Sequence, residues 1–498
     1  MTPAFAWPAD EVRRVGHRVV DTIAEYLTSL PDGPVFRPVP PASAERWQSD
    51  TLPAEGVSVD VLLDALARDV LPFPFGNGHP RFYGWVNSPP APIGIFAEAI
   101  AAAMNPSVAG GNHAAVYVER QVVRWIATMV GYPPSAMGLL VSGTSTAALT
   151  ALAVARHAAC GRRGWDVRAR GLQGLEQRLL LYKGAEGHAC HQKAAEVLGL
   201  GSAAVRNVPS DDALRIDPGA LDAMLEADLS AGHLPVAVVA TAGTVNTGAI
   251  DPLAAIADVC ERRGVWLHVD GAYGGPAVVL EECRDLIAPL ARADSVAIDP
   301  HKWMYAPVDA GLVLVRGGEA MRDAFSLVPP YLRTDGDVHG VQGLPWFSEY
   351  GIEQTRPFRA LKVWLTLRAF GRDGFRALFA HDVALARHLA ARLRARPDFE
   401  VWEPQGLSIV CFRYLPPDAD CAGGAVDDLN RAVLSEVQLG GTAFVSSTTL
   451  AGRFWLRACI VNPLAAEQDI DALVDAVAAA GRVAAGARPR APLGERRD

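Results

Sequence analysis

The amino-acid sequence predicts a mixed α/β protein: a mostly parallel central sheet in a three-layer domain, with a helical arm before it and a small α+β domain after it. Two observations carry this. From about residue 77 to residue 315, short runs rich in valine, isoleucine and leucine alternate with longer alanine- and leucine-rich runs. Strands that are apolar on both faces and separated by helices belong in a parallel sheet covered on both sides. Beyond residue 366 the order changes to helix, strand, helix, strand, helix, which is the pattern of a smaller unit.

The elements follow in order. Val12, Val15, Val19, Ile23, Tyr26 and Leu30 recur at three- and four-residue spacing, and Pro31, Gly33 and Pro34 stop that helix. A proline-rich connector runs to about Pro53, and a second helix over 58–70 ends before Pro72. This arm, 1–78, has too little apolar variety for a core of its own and is expected to pack on another body, such as a second subunit. In the large domain, 79–365, the sequence predicts buried strands at 138–141, 179–182, 236–241, 265–270, 295–299 and 312–315. Crossover helices are expected at 147–159, 193–200, 218–227 and 252–263, and a long helix over 358–370 ends at Gly371. The small domain, 366–483, has strands at 407–414 and 453–460 and helices at 427–436 and 467–479, and an arginine- and proline-rich tail, 484–498, follows.

Composition excludes several functions. A formal charge of -9 leaves no cationic excess for a phosphate backbone, so no nucleic-acid partner is expected. Seven cysteines without a C-x-x-C pair point to a reduced compartment and to no structural metal. Asp10 and Glu11 arrive where a secretory leader would be basic and then apolar, and the apolar run 93–104 is interrupted by Glu98 and shorter than the ~20 residues a membrane span requires. The expected location is the cytoplasm, with no membrane partner.

Open α/β sheets bind ligands outside the carboxyl ends of their strands, so the residues at those ends are the candidates for chemistry. The strand ending at Val141 is followed by Ser142-Gly143-Thr144-Ser145-Thr146 and then a helix. Hydroxyls and backbone N–H groups at a positive helix end suit a phosphate monoester, although an ordinary helix cap accounts for them equally well. The strand ending at Val269 runs into Asp270, whose carboxylate at a buried strand end needs a cation or several donors; a protonated ring nitrogen satisfies that need, and so does capping of its own turn. The strand at 295–299 leads into Pro300-His301-Lys302-Trp303. Of the 46 basic residues only Lys183, Lys193, Lys302 and Lys362 carry a primary amine. Lys193 and Lys362 lie in helical patterns with alternating charge and are expected to be solvated or capping, and Lys183 is placed in a glycine-flanked loop. Lys302 sits at a strand end where desolvation lowers an amine's pKa, as imine chemistry requires. A phosphate cradle, a carboxylate for a heteroaromatic nitrogen and an amine for an aldehyde together describe a site for pyridoxal 5'-phosphate (PLP).

From about His79 to Pro463 the chain also resembles the group II PLP-dependent amino-acid decarboxylases, most closely through His268-Val269-Asp270-Gly271-Ala272-Tyr273-Gly274 and Asp299-Pro300-His301-Lys302-Trp303. The resemblance implies the PLP-dependent transferase fold (fold type I) and a homodimer with active sites at the subunit interface. It implies Lys302 as the amine that condenses with the cofactor, Asp270 as the partner of the ring nitrogen, Ala272 against one ring face and His188 stacked on the other. Ser145 and Thr146 match the phosphate-binding positions, with Thr144 and Thr244 close by and His301 beside the lysine. His191 does not match and is expected to be structural. Where many relatives carry asparagine, this chain has Asp299, so a phosphate contact there must come from backbone or from another arrangement.

Tyr331, in Pro329-Pro330-Tyr331-Leu332-Arg333, resembles the loop tyrosine that protonates the α-carbon after carbon dioxide leaves, and Arg457 resembles an arginine that in some members binds the substrate carboxylate. The stretch 79–88 resembles the family's specificity segment. Within it Trp85 and Val86 favour an apolar or aromatic side chain, Ser88 lines the entrance, and Arg81 can pair with an acidic one. His113 belongs to a segment that relatives contribute from the neighbouring subunit. The implied reaction is decarboxylation of an L-α-amino acid, with an oxygen-consuming aldehyde synthase as the alternative.

Overall fold

The structure is a computed structural model and describes residues 5–327, 346–416 and 424–486. In chain order it begins with α1 (Ala9–Ser29), α2 (Pro41–Ser49), α3 (Val59–Asp69) and β1 (Phe82–Tyr83). Next come α4 (Pro92–Met104), α5 (Ala114–Met129), β2 (Met137–Val141), α6 (Thr144–Gly161), α7 (Val167–Arg170), β3 (Leu179–Gly184), α8 (Cys190–Val197) and β4 (Val205–Val208). They are followed by α9 (Pro218–Ser230), β5 (Leu234–Thr241), α10 (Leu253–Arg263), β6 (Trp266–Asp270), α11 (Glu281–Ile287), β7 (Ser295–Ile298), β8 (Gly311–Val315) and α12 (Gly318–Phe325). The chain closes with α13 (Ala360–Arg394), β9 (Phe399–Val401), β10 (Ile409–Tyr414), α14 (Ala425–Leu439), β11 (Phe444–Leu450), β12 (Arg453–Cys459) and α15 (Glu467–Gly486).

These elements form two compact units. One holds Val86–Ala386 with Trp402–Val410, and the other holds the residues up to Trp85, Arg387–Val401 and those from Cys411 on. The first unit is built on a seven-stranded sheet in the order β2-β8-β7-β6-β5-β3-β4. The β4, β3, β5, β6 and β7 ladder is parallel, and β8 runs antiparallel between β7 and β2. All eight residues of β5 and all five of β8 are buried, which explains why their sequences are unbroken apolar runs rather than alternating ones. Register fixes what matters for the site: Thr241 pairs with Asp270, and Asp270 with Ala297, so the carboxyl ends of β5, β6 and β7 stop side by side. At the head of α6 a Cβ on Gly311 would lie 2.3 Å from the Gly143 Cα, so the approach of β8 to the β2–α6 turn requires glycine.

The second unit carries a five-stranded sheet in the order β1-β11-β12-β10-β9. β11 alternates buried and exposed positions through Ser446-Ser447-Thr448-Thr449, a polar pattern that gives no sequence signal for a strand. Helices α1, α2 and α3 contain no buried residue, and Val12, Val19, Val20, Val61, Leu62 and Leu66 are all exposed.

Several expectations need correction. The connector before Pro53 contains α2, and the run 93–104 lies in helix α4, which begins at Pro92; no helix among the described residues is long and apolar enough to cross a membrane. Lys183 is in β3, not in a loop: pairing with Asn207 carries the strand through it, and its buried ammonium donates to the Gly184 and Gly187 carbonyls. Lys362 is buried rather than solvated, because its ammonium meets Glu98 of α4. Gly371 does interrupt its helix, at φ +62, but helical geometry resumes immediately and α13 runs on to Arg394. The strand expected from residue 407 begins at Ile409, after Leu407 turns into the left-handed region.

Candidate active site

Lys302 lies in the turn after β7, anchored at both ends of its backbone. Its N–H donates to the Asp299 carbonyl, and its own carbonyl accepts the Ser88 hydroxyl at 2.5 Å. The ammonium sits 2.9 Å from Asp299 Oδ2, which also accepts the Thr144 hydroxyl at 2.6 Å from the first turn of α6. The Asp299 side chain is 2 % exposed, and its Oδ1 is buried with no hydrogen-bond partner among the described residues. Contrary to the expected depression, the Lys302 amine is held above its ordinary range: burial pushes it down, but the Asp299 and Asp270 carboxylates outweigh burial.

Asp270 ends β6 and is almost fully buried. Its Oδ1 accepts the Ala272 N–H at 3.1 Å, and its Oδ2 faces His191 Nε2 at 3.5 Å. Burial raises its pKa, but His191 and Lys302 overcome that and keep it below the usual carboxylate range, so it stays ionised. His191, expected to be structural, therefore belongs to this cluster. Its Nδ1 lies 3.0 Å from the His188 carbonyl, an acceptor, so Nδ1 carries a proton and Nε2 is left to face the carboxylate. His188 itself is exposed and fixed by the Cys190 N–H, which donates to its Nδ1 at 3.2 Å.

At the head of α6 no side chain caps the helix at Gly143. Ser145 is exposed, and Thr146 shares a hydrogen bond with Ser142 between their hydroxyls. His301 accepts the Ala310 N–H on Nδ1 and points Nε2 at Asp299, 3.7 Å away. Ala272 is buried beside Asp270. The Thr244 hydroxyl is engaged with Thr247 and the Ala249 N–H inside its own turn.

Of the other sequence candidates, Val86 and Ser88 are buried and His113 contacts the Gly110 carbonyl through Nε2. Trp85, Arg81 and Arg457 belong to the second unit. There Trp85 adopts φ +50 and stacks on Phe75, and the Arg457 guanidinium donates to the Trp85 carbonyl and the Ser446 hydroxyl. The Arg81 N–H donates to His79 Nδ1. Tyr331 lies outside the described residues.

Sequence reasoning missed Asp382. Its carboxylate accepts from Trp303 Nε1 and the Tyr305 hydroxyl, both at 2.7 Å, and so ties down the chain just after Lys302. Burial pushes its pKa up to about 7. The signal was available: Phe375, Phe379, Asp382, Ala386 and Leu389 form one helical stripe, and a carboxylate in an apolar stripe needs a buried donor.

The donor set fits PLP. An uncapped helix N-terminus with hydroxyls offers the phosphate its donors, an ionised buried carboxylate awaits a cationic nitrogen, and an amine lies at the adjoining strand end. The comparisons agree. The pyridoxal-dependent decarboxylase conserved domain matches residues 41–415. An aromatic-L-amino-acid decarboxylase of Bacillus atrophaeus is 34% identical over 91% of this chain and 92% of its own length. The structure of Oryza sativa TDC with PLP and tryptamine superposes with a TM-score of 0.90 at 29% identity, covering 97% of this chain and 99% of that one. Rhodiola rosea 4-hydroxyphenylacetaldehyde synthase superposes with a TM-score of 0.84 at 25% identity, covering 96% and 99%. The chain belongs to the pyridoxal-dependent decarboxylases, carboxy-lyases of fold type I that use pyridoxal 5'-phosphate.

Proposed function

We propose that this enzyme decarboxylates an L-α-amino acid with an aromatic side chain, giving the corresponding amine and carbon dioxide. The observation that carries the reading is the pairing, at neighbouring strand ends, of the ionised Asp270 carboxylate with the Lys302 amine. The substrate class rests on the aromatic-amino-acid decarboxylase similarity and on Trp85 and Val86 in the specificity segment.

When bound, PLP supplies an aldehyde for the amino group and a protonated ring that takes up the electrons released as carbon dioxide leaves. The residues have separate tasks. Lys302 would hold the cofactor through its amine. Asp270, fixed by the Ala272 N–H and with the His191 ring beside it, keeps a proton on the ring nitrogen. His188 and Ala272 confine the two ring faces, and Ser145, Thr146 and the N–H groups at the head of α6 bind the phosphate. Tyr331 delivers the proton to the substrate α-carbon. Arg457 receives the substrate carboxylate in this reading, with Ser88 and His113 at the entrance.

The exposed apolar faces of α1 and α3 support a homodimer, with the active sites at its interface. The cytoplasm is the proposed location, on the odd cysteine count without a C-x-x-C pair.

A second reading is an aldehyde synthase that couples carboxylate loss to dioxygen and yields aldehyde, ammonia and peroxide; the similarity to the Rhodiola rosea enzyme favours it. Tyr331 and His188, both present, favour the first reading. Measuring carbon dioxide, amine and peroxide across the twenty amino acids, dopa and cysteine sulfinate separates them. Amine equal to carbon dioxide without peroxide, from an aromatic substrate, is expected. Stoichiometric peroxide overturns the first reading, and release only from acidic substrates overturns the aromatic assignment in favour of a pairing with Arg81. Tyr331→Phe is expected to move the products toward peroxide.

A further inference from the structure

We propose that Asp299 is a positioning residue for Lys302: its carboxylate holds the Lys302 ammonium at the end of β7 until the cofactor arrives, and so sets the pH at which the amine is released to react. This rests on Lys302 being the cofactor-bearing lysine. Asp299 brings a full carboxylate to within 2.9 Å of the amine, and the geometry gives that charge a purpose.

Asp299 is one of the most enclosed carboxylates in its unit, and a carboxylate so placed stays ionised only beside a cation or several donors. Lys302 Nζ at 2.9 Å is that cation, and the Thr144 hydroxyl at 2.6 Å shares the same oxygen. His301 stands further off: its Nδ1 accepts the Ala310 N–H, so the proton of the neutral ring is on Nε2, which lies 3.7 Å from Asp299, beyond hydrogen-bond reach. The arrangement fixes the amine along one direction, with Thr144 tying it to the first turn of α6.

Other groups face the same ammonium. Asp270 acts on it from β6, Cys190 from the start of α8, and His188 from just before that helix. Burial pushes the Cys190 thiol up to about 12, so it is neutral near pH 7, and burial pushes His301 down. Two negative charges therefore remain, Asp270 and Asp299, and Asp299 is the one in direct contact. Both hold the proton on the amine. Attachment needs the neutral amine: the ammonium first loses a proton to solvent, nitrogen then bonds to the aldehyde carbon, and the aldehyde oxygen leaves as water. Removing the Asp299 charge should ease the first of these events and leave the others alone.

The test is the rate at which the full-length protein, stripped of cofactor, takes up added PLP, followed across pH by the growth of its long-wavelength absorbance. In Asp299→Asn the midpoint of the pH–rate profile is expected to fall by about one unit or more, which is about tenfold faster uptake at a fixed pH below both midpoints. Thr144→Val, which leaves the carboxylate to the lysine alone, is expected to move the midpoint up, an opposite sign that general damage to the fold does not produce. Borohydride reduction followed by peptide mapping is expected to mark Lys302 in all three proteins. An Asp299→Asn midpoint equal to the wild type, a uniform rise in rate at an unchanged midpoint, or an unmoved midpoint in Thr144→Val overturns this proposal while leaving the site reading intact. A mark on another lysine overturns both.

Discussion

The ends of β6 and β7 lie side by side and each presents a buried aspartate, yet the two carboxylates are equipped differently. Asp270, at the end of β6, receives a backbone N–H from Ala272 and the ring of His191, and its cation is still to come. Asp299, just past the end of β7, already has its cation in Lys302 and a hydroxyl from Thr144. The same side chain in the same layer of the sheet thus does two jobs, decided by which donors the neighbouring elements turn toward it. One carboxylate waits for the cofactor, and the other holds the group that captures it.

That contrast can be broken at several points. Replacing Lys302 with alanine removes the amine that both carboxylates serve, and kcat is expected to fall by on the order of 10^4-fold with no reducible cofactor attachment. Asp270→Ala should lower kcat by on the order of 10^2- to 10^3-fold while Lys302 remains the attachment point, because the charge lost is one aimed at the ring and not at the amine. Attachment and turnover measured together distinguish these two effects. His191→Ala sharpens the comparison from the side: it removes the ring packed 3.5 Å from the Asp270 carboxylate, and should weaken cofactor binding while leaving the pH profile of uptake unmoved. A shifted profile would mean that the two carboxylates are not separately equipped.

The smallest effect concerns the chain just past Lys302. Asp382 has its folded-state pKa raised from 3.8 to about 7 by burial. Between those values the unfolded chain is ionised there and the folded chain is not, so its contribution to stability declines as pH rises from about 4 to about 7 and then levels off. In Asp382→Asn that slope should vanish while the melting temperature elsewhere in the pH range moves little. Thermal melts at pH 5, 6 and 7 are sufficient to check it, and a wild-type curve with no slope to remove would contradict the assignment.

Much of this was readable in the residues themselves. The parallel core of the sheet is legible because β3, β5, β6 and β7 are buried on both faces, so their apolar runs have no alternation to confuse with surface strands. Lys302, Asp270 and the Ser142–Thr146 turn are legible because each directly follows such a run. What was not legible depends on contacts between distant segments. Lys183 reads as a loop residue and Lys362 as a solvated or capping one, but pairing with β4 keeps Lys183 in β3 and Glu98 meets the Lys362 ammonium from far along the chain. His191 reads as one helix residue among several, and only the fold places its ring on Asp270. The direction of the Lys302 shift was misjudged for the same reason: burial was foreseen, but the closeness of two carboxylates was not.

The central claim is that the cofactor is joined to side chain 302. Reducing the cofactor-loaded enzyme with borohydride, digesting it and locating the pyridoxyl group by mass spectrometry tests this most directly. The account predicts the modification on the peptide containing His301-Lys302-Trp303 and on none containing Lys183, Lys193 or Lys362; modification of any of those three in place of Lys302 would contradict it.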